Sequence, residues 1–290
     1  VMRSQSTTLA QCVAMRLVLI VICTLIFGAC SLARSSAALF VPHPDDTTKQ
    51  VEYFVEQPDG TGPWPTIVLL HGHQDSPRRG GQEFVDWGVL KQLARRGYLA
   101  VAISQPAYGN STGPADFCGE FTQHAVTAVT SKLRADGLAL QDRLLLLGIS
   151  RGALTAGLIA GHDPTVTGLV LISGVYDLPA YVADKTPSVG KQFVVKTIQE
   201  ETGGSAAALH ARSVVTFADR IKAKTLILNG AQDDRTDPRQ ARRLAEAITR
   251  AGGDAEVIVY QDFGHRIPVQ RRNQDVDPFI DAVLRSGGRE

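Results

Sequence analysis

Cysteine is scarce in this 290-residue sequence: there are four, Cys12, Cys23, Cys30 and Cys118. Three of them lie at or before Cys30, which leaves Cys118 alone in the remainder, and one thiol builds no disulfide framework. Within "ADFCGEF" it reads as a small buried or loop residue rather than a reactive thiol. An excess of charge of one sign is also missing. The 30 Lys and Arg nearly balance the 29 Asp and Glu, for a formal net charge of +1, so no strong field draws in nucleic acid or an anionic surface. No repeat period and no low-complexity tract is present, which excludes solenoids and disordered arrays. No apolar run reaches the ~20 residues of a membrane-spanning helix. What is there, 44% hydrophobic and 20% charged residues, is a globular composition, long enough for one large α/β domain or two small ones.

The longest apolar run, "LVLIVICTLIFGAC" from Leu17 to Cys30, follows Met15-Arg16. A positive charge ahead of a short apolar core is the pattern of an export signal. The expectation is translation from Met15, with Val1 to Ala14 ahead of the true start. Phe27-Gly28-Ala29-Cys30 resembles the lipobox of bacterial lipoproteins, in which the cysteine is lipidated and becomes the mature N-terminus; Phe27 stands where Leu is usual. Ser36-Ala37-Ala38 offers an ordinary small-residue cleavage site instead. The expected organisation is an export segment and linker over residues 1–38 and one domain over 39–290. The product is expected to be exported, and to be held at a membrane on the periplasmic or cell-surface side through Cys30, or else secreted.

From Val51 onward, apolar runs alternate with amphipathic stretches. "PTIVLLHG" to Gly72, Tyr98 to Ser104, Arg143 to Ile149, Gly168 to Gly174, Thr225 to Gly230 and Glu256 to Tyr260 read as buried strands. Glu83 to Gly97, Glu120 to Gly137 and "ALTAGLIAG" read as helices between them, two closed by glycine. Asp237-Pro238-Arg239-Gln240 supplies an N-cap, a first-turn proline and a capping-box glutamine for a helix ending at Gly252. Gln50 to Gln57 alternates polar and apolar and reads as an edge hairpin strand. Continuous apolar strands alternating with helices predict an α/β fold, a mostly parallel sheet covered on both faces. Residues 178–217 break this rhythm and read as a small helical insertion overhanging the C-terminal edge of the sheet.

Gly148-Ile149-Ser150-Arg151-Gly152 lies where the buried strand "RLLLLGI" meets the small-residue helix. G-x-S-x-G is weak alone, but between a strand and a helix it is a nucleophile elbow. The turn lifts Ser150 above the sheet, and the helix N-terminus favours negative charge forming there. A serine needs a base and an acid to orient the base. Asp233 and Asp234 follow the fifth core strand, and His265 follows the sixth, so the residue types stand in the chain order Ser, acid, His. Oxyanion donors are also required. His71-Gly72-His73 ends the first core strand, and the backbone amides of His73 and Arg151 are the candidates. His71 and His73 have no third partner at metal-ligand spacing, so no metal site is expected.

The order of these segments resembles an α/β-hydrolase from about Val51 to Leu284. "HGHQDS", "SQPAYGNSTG", "GISRGA", "NGAQDDRTDP" and "QDFGH" are similar to the catalytic domain of prolyl oligopeptidase-type serine peptidases and to dienelactone-hydrolase-like esterases. The resemblance implies acyl transfer through a serine ester, without a cofactor. It also implies an acid at the third position after the glycine that ends the strand, which is Asp233. The triad is then Ser150, Asp233 and His265. Ala153 departs from the peptidases, which usually carry a second glycine after the elbow. No β-propeller of the kind that gates oligopeptide access in those enzymes is expected ahead of Val51. The expected partner is a small ester or a short peptide. Three readings stand: a peptidase-like serine hydrolase, a carboxylesterase without peptidase activity, and a catalytically silent binding module. Ser150 excludes the hydrolases that need an aspartate at the elbow.

Overall fold

The computed structural model describes residues 36–285. Cys30 and the apolar run before it lie outside the described residues. Among the described residues the sheet has eight strands: β1 (Leu39–Pro42), β2 (Gln50–Glu56), β3 (Trp64–Leu70), β4 (Leu99–Ile103), β5 (Ala139–Ile149), β6 (Val166–Ile172), β7 (Lys224–Gly230) and β8 (Ala255–Tyr260). Their order is β1-β2-β4-β3-β5-β6-β7-β8. β1 and β2 are antiparallel to their neighbours, and every pair from β4 to β8 is parallel.

The continuous apolar runs have a physical reason. Successive side chains of a strand point to opposite faces, and both faces here are buried. Val68, Leu70, Leu144 and Leu146 join one core; Ile67, Leu69, Leu145 and Leu147 join the other. Helices α3 (Glu120–Ala135) and α4 (Arg151–Ala160) and, after β7, α8 (Pro238–Arg250) contribute Val126, Leu154 and Leu244 to the first core. Helices α1 (Gln82–Asp86), α2 (Val89–Arg95) and α9 (Val269–Arg285) contribute Phe84, Leu90 and Phe279 to the second. Each such side chain stabilises the fold by roughly 1.5–3 kcal/mol through lost contact with water.

Several elements differ from the sequence expectation. Gln50–Glu56 is not an edge strand, because β1 pairs outside it, Val41 against Val51. The single helix expected over Glu83 to Gly97 is two, parted at Gly88, whose φ of +70° no helix interior holds. Gln240 does not reach back to close a capping box. Its side-chain oxygen accepts the N–H groups of Tyr176 and Asp177, at 3.0 and 2.8 Å, tying α8 to the loop after β6. Asp237 still caps α8, accepting from Arg239 N–H at 2.8 Å. Between β6 and β7 run α5 (Leu178–Ala183), α6 (Val189–Thr202), α7 (Ala206–Ala211) and a 3₁₀ helix, Val214–Arg220.

Candidate active site

Ser150 stands at the turn from β5 into α4 with φ +54° and ψ −115°. A non-glycine residue there carries roughly 1–3 kcal/mol of backbone strain. The surroundings hold it: its N–H donates to Ile172 O at 2.7 Å. The flanking glycines are required by space. A Cβ at Gly148 would lie 2.1 Å from Gly152 O, and one at Gly152 would lie 2.1 Å from Leu70 O. Strand and helix therefore touch backbone to backbone, which aims the serine out of the sheet edge.

The loops after β7 and β8 bring two side chains to it. His265 Nε2 lies 3.1 Å from Ser150 Oγ. On the other side of the ring, Nδ1 lies 2.9 Å from Asp233 Oδ2 and 3.1 Å from Oδ1. A carboxylate can only accept, so the proton sits on Nδ1 and the Nε2 lone pair faces the serine hydroxyl. Asp233 also accepts from Arg235 N–H and Thr236 N–H, both at 2.9 Å, and from Thr236 Oγ1 at 2.6 Å. Burial works to raise this carboxyl, but the hydrogen bond and charge of His265, with those from Thr236, outweigh it and hold it below the usual carboxylate range. Asp234 is exposed and turned toward Gly190: a Cβ there would lie 2.7 Å from Asp234 Oδ2. It does not pair with Arg239, which binds Asp237 and Asp184 instead.

His73 and Arg151 flank Ser150 in one cleft. Gly72, the residue before His73, packs against the elbow so closely that its Cβ would lie 3.2 Å from Ser150 Cβ. The Arg151 N–H is in the first turn of α4 and has no intrahelical acceptor. His71 underpins this loop rather than facing the cleft. It is buried, its Nδ1–H donates to Gly72 O at 2.8 Å and its Nε2 accepts from Gln105 N–H at 3.0 Å. Both ring nitrogens are taken by backbone, so His71 has no lone pair to offer a metal. Burial, helped by the charge of Arg151, lowers its pKa to about 4. Burial and Arg151 also lower that of His73, whose Nδ1 lies 3.1 Å from Tyr108 Oη.

The cleft is walled by Phe117, Leu154, Val175, Phe193, Val194 and Thr197 and leaves about 40 Å³ of interior space. Phe193, Val194 and Thr197 come from α6, so the insertion covers the serine. Glu201, one turn further along α6, forms a buried two-pronged ion pair with Arg151, at 2.9 and 2.5 Å. Burial disfavours the Glu201 carboxylate, but the hydrogen bonds and charge of Arg151 outweigh it and hold it below its ordinary range. Cys118 is buried, and desolvation pushes its thiol up to about 11, so it is no thiolate at neutral pH. Sequence reasoning had no sign of Glu201, Phe117, Phe193 or Thr236. Their partners are distant in the chain or, for Thr236, set by loop shape.

A mostly parallel sheet, a strained serine between strand and helix, and acid and histidine on later loops define an α/β-hydrolase. A profile of the prolyl oligopeptidase family matches residues 118–284, more than half of the chain. The chain belongs to that family. It is 25% identical over 242 residues to dipeptidyl aminopeptidase BIII of Pseudoxanthomonas mexicana, covering 78% of this chain and 34% of that protein. The chain thus spans about a third of the length of that relative. Among solved structures, a puromycin-hydrolyzing peptidase of Mycobacterium tuberculosis superposes with a TM-score of 0.71 at 19% identity, covering 90% of this chain and 41% of that one. A Pyrococcus furiosus esterase superposes with a TM-score of 0.64 at 17% identity, covering 87% and 92%.

Proposed function

We propose that the protein is a serine hydrolase that cleaves an ester or an amide bond through an acyl-enzyme. The unbroken line from Ser150 Oγ through the His265 ring to the Asp233 carboxylate carries this reading. Ser150 Oγ attacks the carbonyl carbon while its proton passes to His265 Nε2. The carbonyl oxygen becomes an oxyanion facing the N–H groups of His73 and Arg151. Collapse expels the alcohol or amine, which takes the proton from Nε2. Water then attacks the ester on Ser150, again giving its proton to Nε2, and the acid leaves with Oγ reprotonated. Asp233 holds the imidazole in the needed tautomer and offsets its charge when protonated. No step calls for a cofactor.

The peptidase reading rests on the family and on relatives named as peptidases. The carboxylesterase reading rests on the narrow apolar cleft beside Ser150, which suits a short acyl chain. A fluorophosphonate probe should label Ser150 and leave Ser150→Ala unlabelled, with turnover falling by several orders of magnitude. Absence of label on the wild type would mean a silent binding module. Comparing p-nitrophenyl esters with aminoacyl and peptidyl anilides then separates esterase from peptidase. Export with attachment through Cys30 remains part of the proposal and rests on the sequence.

A further inference from the structure

We propose that Glu201 is a specificity-positioning residue, which fixes the depth of the acyl pocket by clamping the backbone of Phe117, so that the enzyme selects small apolar acyl groups. The inference rests on the serine-hydrolase reading above. It starts from a strained segment. Phe117 and Cys118 have φ of +45° and +65°, two successive non-glycine residues in the left-handed region. Such a conformation persists only where the surroundings over-determine it.

The surroundings do so from several elements. Phe117 N–H donates to Glu201 Oε2 at 2.8 Å. Gln123 Nε2 donates to Cys118 O at 2.9 Å, and Arg212 Nε to Asp116 O at 2.8 Å. The Cys118 thiol reaches Arg151 O at 3.4 Å. The Arg151 guanidinium, held by Glu201, lies 5.2 Å over the Phe117 ring. Glu201 is the one of these groups that joins three parts: the insertion helix, the residue after Ser150, and the pocket wall. With the wall fixed, the apolar space beside Ser150 stays small, about 40 Å³, which suits a short acyl chain, or a small side chain on the acyl side of a peptide bond, better than a long one. A longer or aromatic group requires Phe117 to move.

The test compares two double variants. Arg151→Met with Glu201→Leu removes the ion pair and the acceptor for the Phe117 N–H. Arg151→Met with Glu201→Gln removes the same charges but keeps an oxygen acceptor of the same reach. Changing both partners avoids leaving one buried charge unpaired. The readout is the ratio of kcat/KM for p-nitrophenyl butyrate over octanoate, which a general loss of stability does not move. The leucine pair should lower this ratio by about tenfold or more, the range a pocket achieves per methylene mismatch. The glutamine pair should stay within about threefold of wild type. Equal ratios in the two pairs, shifted or not, would overturn the proposal. Phe117→Ala supplies the answer if either pair fails to fold: it should relax the same ratio by opening the wall, and an unchanged ratio counts against the pocket assignment. If the wild type takes no fluorophosphonate label, the hydrolase reading has failed; if it labels and the ratios do not separate, only this inference has.

Discussion

Asp233 and Asp234 are neighbours in the chain, yet only Asp233 reaches His265, with its Oδ2 2.9 Å from Nδ1. Its position is built by its own loop: the amides of Arg235 and Thr236 close on Oδ1, and the Thr236 hydroxyl on Oδ2. Asp233→Asn puts a carboxamide opposite Nδ1, which neither selects the tautomer nor stabilises the imidazolium. It should lower kcat by roughly 10⁴-fold with little loss of Tm, while Asp234→Asn should cost about tenfold or less. Equal losses in the two variants would contradict the geometry.

The same loops show what the sequence makes legible. Ser150, His265 and the six core parallel strands announce themselves locally, through a turn motif, chain order and runs of apolar residues. Other features are set by distant partners. Strand β1 is four residues long and gains its form from β2. The break at Trp87-Gly88 interrupts a stretch whose apolar spacing continues through it. Helix α9 carries Pro278 and many charges, and only Val276, Phe279, Ile280 and Leu284 are buried in it. Glu201 meets Arg151 across fifty positions, and nothing near either residue signals the other.

Glycine at 152 is a requirement of contact rather than of backbone angle. A methyl group there would overlap Leu70 O and also stand 2.7 Å from His71 O. Because the neighbours are backbone of β3 and its loop, relief means separating α4 from the sheet. Gly152→Ala should therefore lower Tm sharply, with a loss of at least about 3 kcal/mol, and abolish labelling of Ser150. Gly88→Ala is the contrast. A Cβ there meets nothing within 4 Å, so only its positive φ opposes the change, at about 1 kcal/mol. Thermal melts of the two variants check the difference in cause.

Cys30 lies outside the described residues, and its role is tested by chemistry rather than by shape. If it is the mature N-terminus, mass spectrometry of the membrane fraction should find the chain starting there, heavier by a diacylglycerol and a fatty acid. Several acyl chains on one cysteine give stable attachment. Cys30→Ser should then release the protein or leave the precursor unprocessed. A soluble product starting near Leu39 would support simple secretion and sink the lipid anchor.

His71 predicts how stability responds to acid. In the folded chain its pKa is about 4; in an unfolded chain a histidine titrates near ~6.5. Between these values the unfolded state binds the proton and the folded state does not. Stability is therefore full above pH ~6.5 and falls as the pH drops toward 4. From pH 7 to pH 4.5 this one group accounts for about 2–3 kcal/mol, taking 1.36 kcal/mol per pH unit. His73, also lowered by burial and Arg151, acts with the same sign. Asp233 acts elsewhere: its folded pKa lies below the ordinary ~3.9, so its contribution is lost only at more acid pH. The ring sits where the Gly72 carbonyl needs a donor and the Gln105 N–H an acceptor, and an asparagine amide offers one of each without titrating. Urea melts of wild type and His71→Asn at pH 7 and 4.5 isolate the effect, because every other group common to both cancels. The variant should start less stable at pH 7 and lose about 2 kcal/mol less on acidification. Parallel acid losses in the two proteins would show that His71 titrates like an exposed histidine, and that the loop beside Ser150 is not held by a neutral ring.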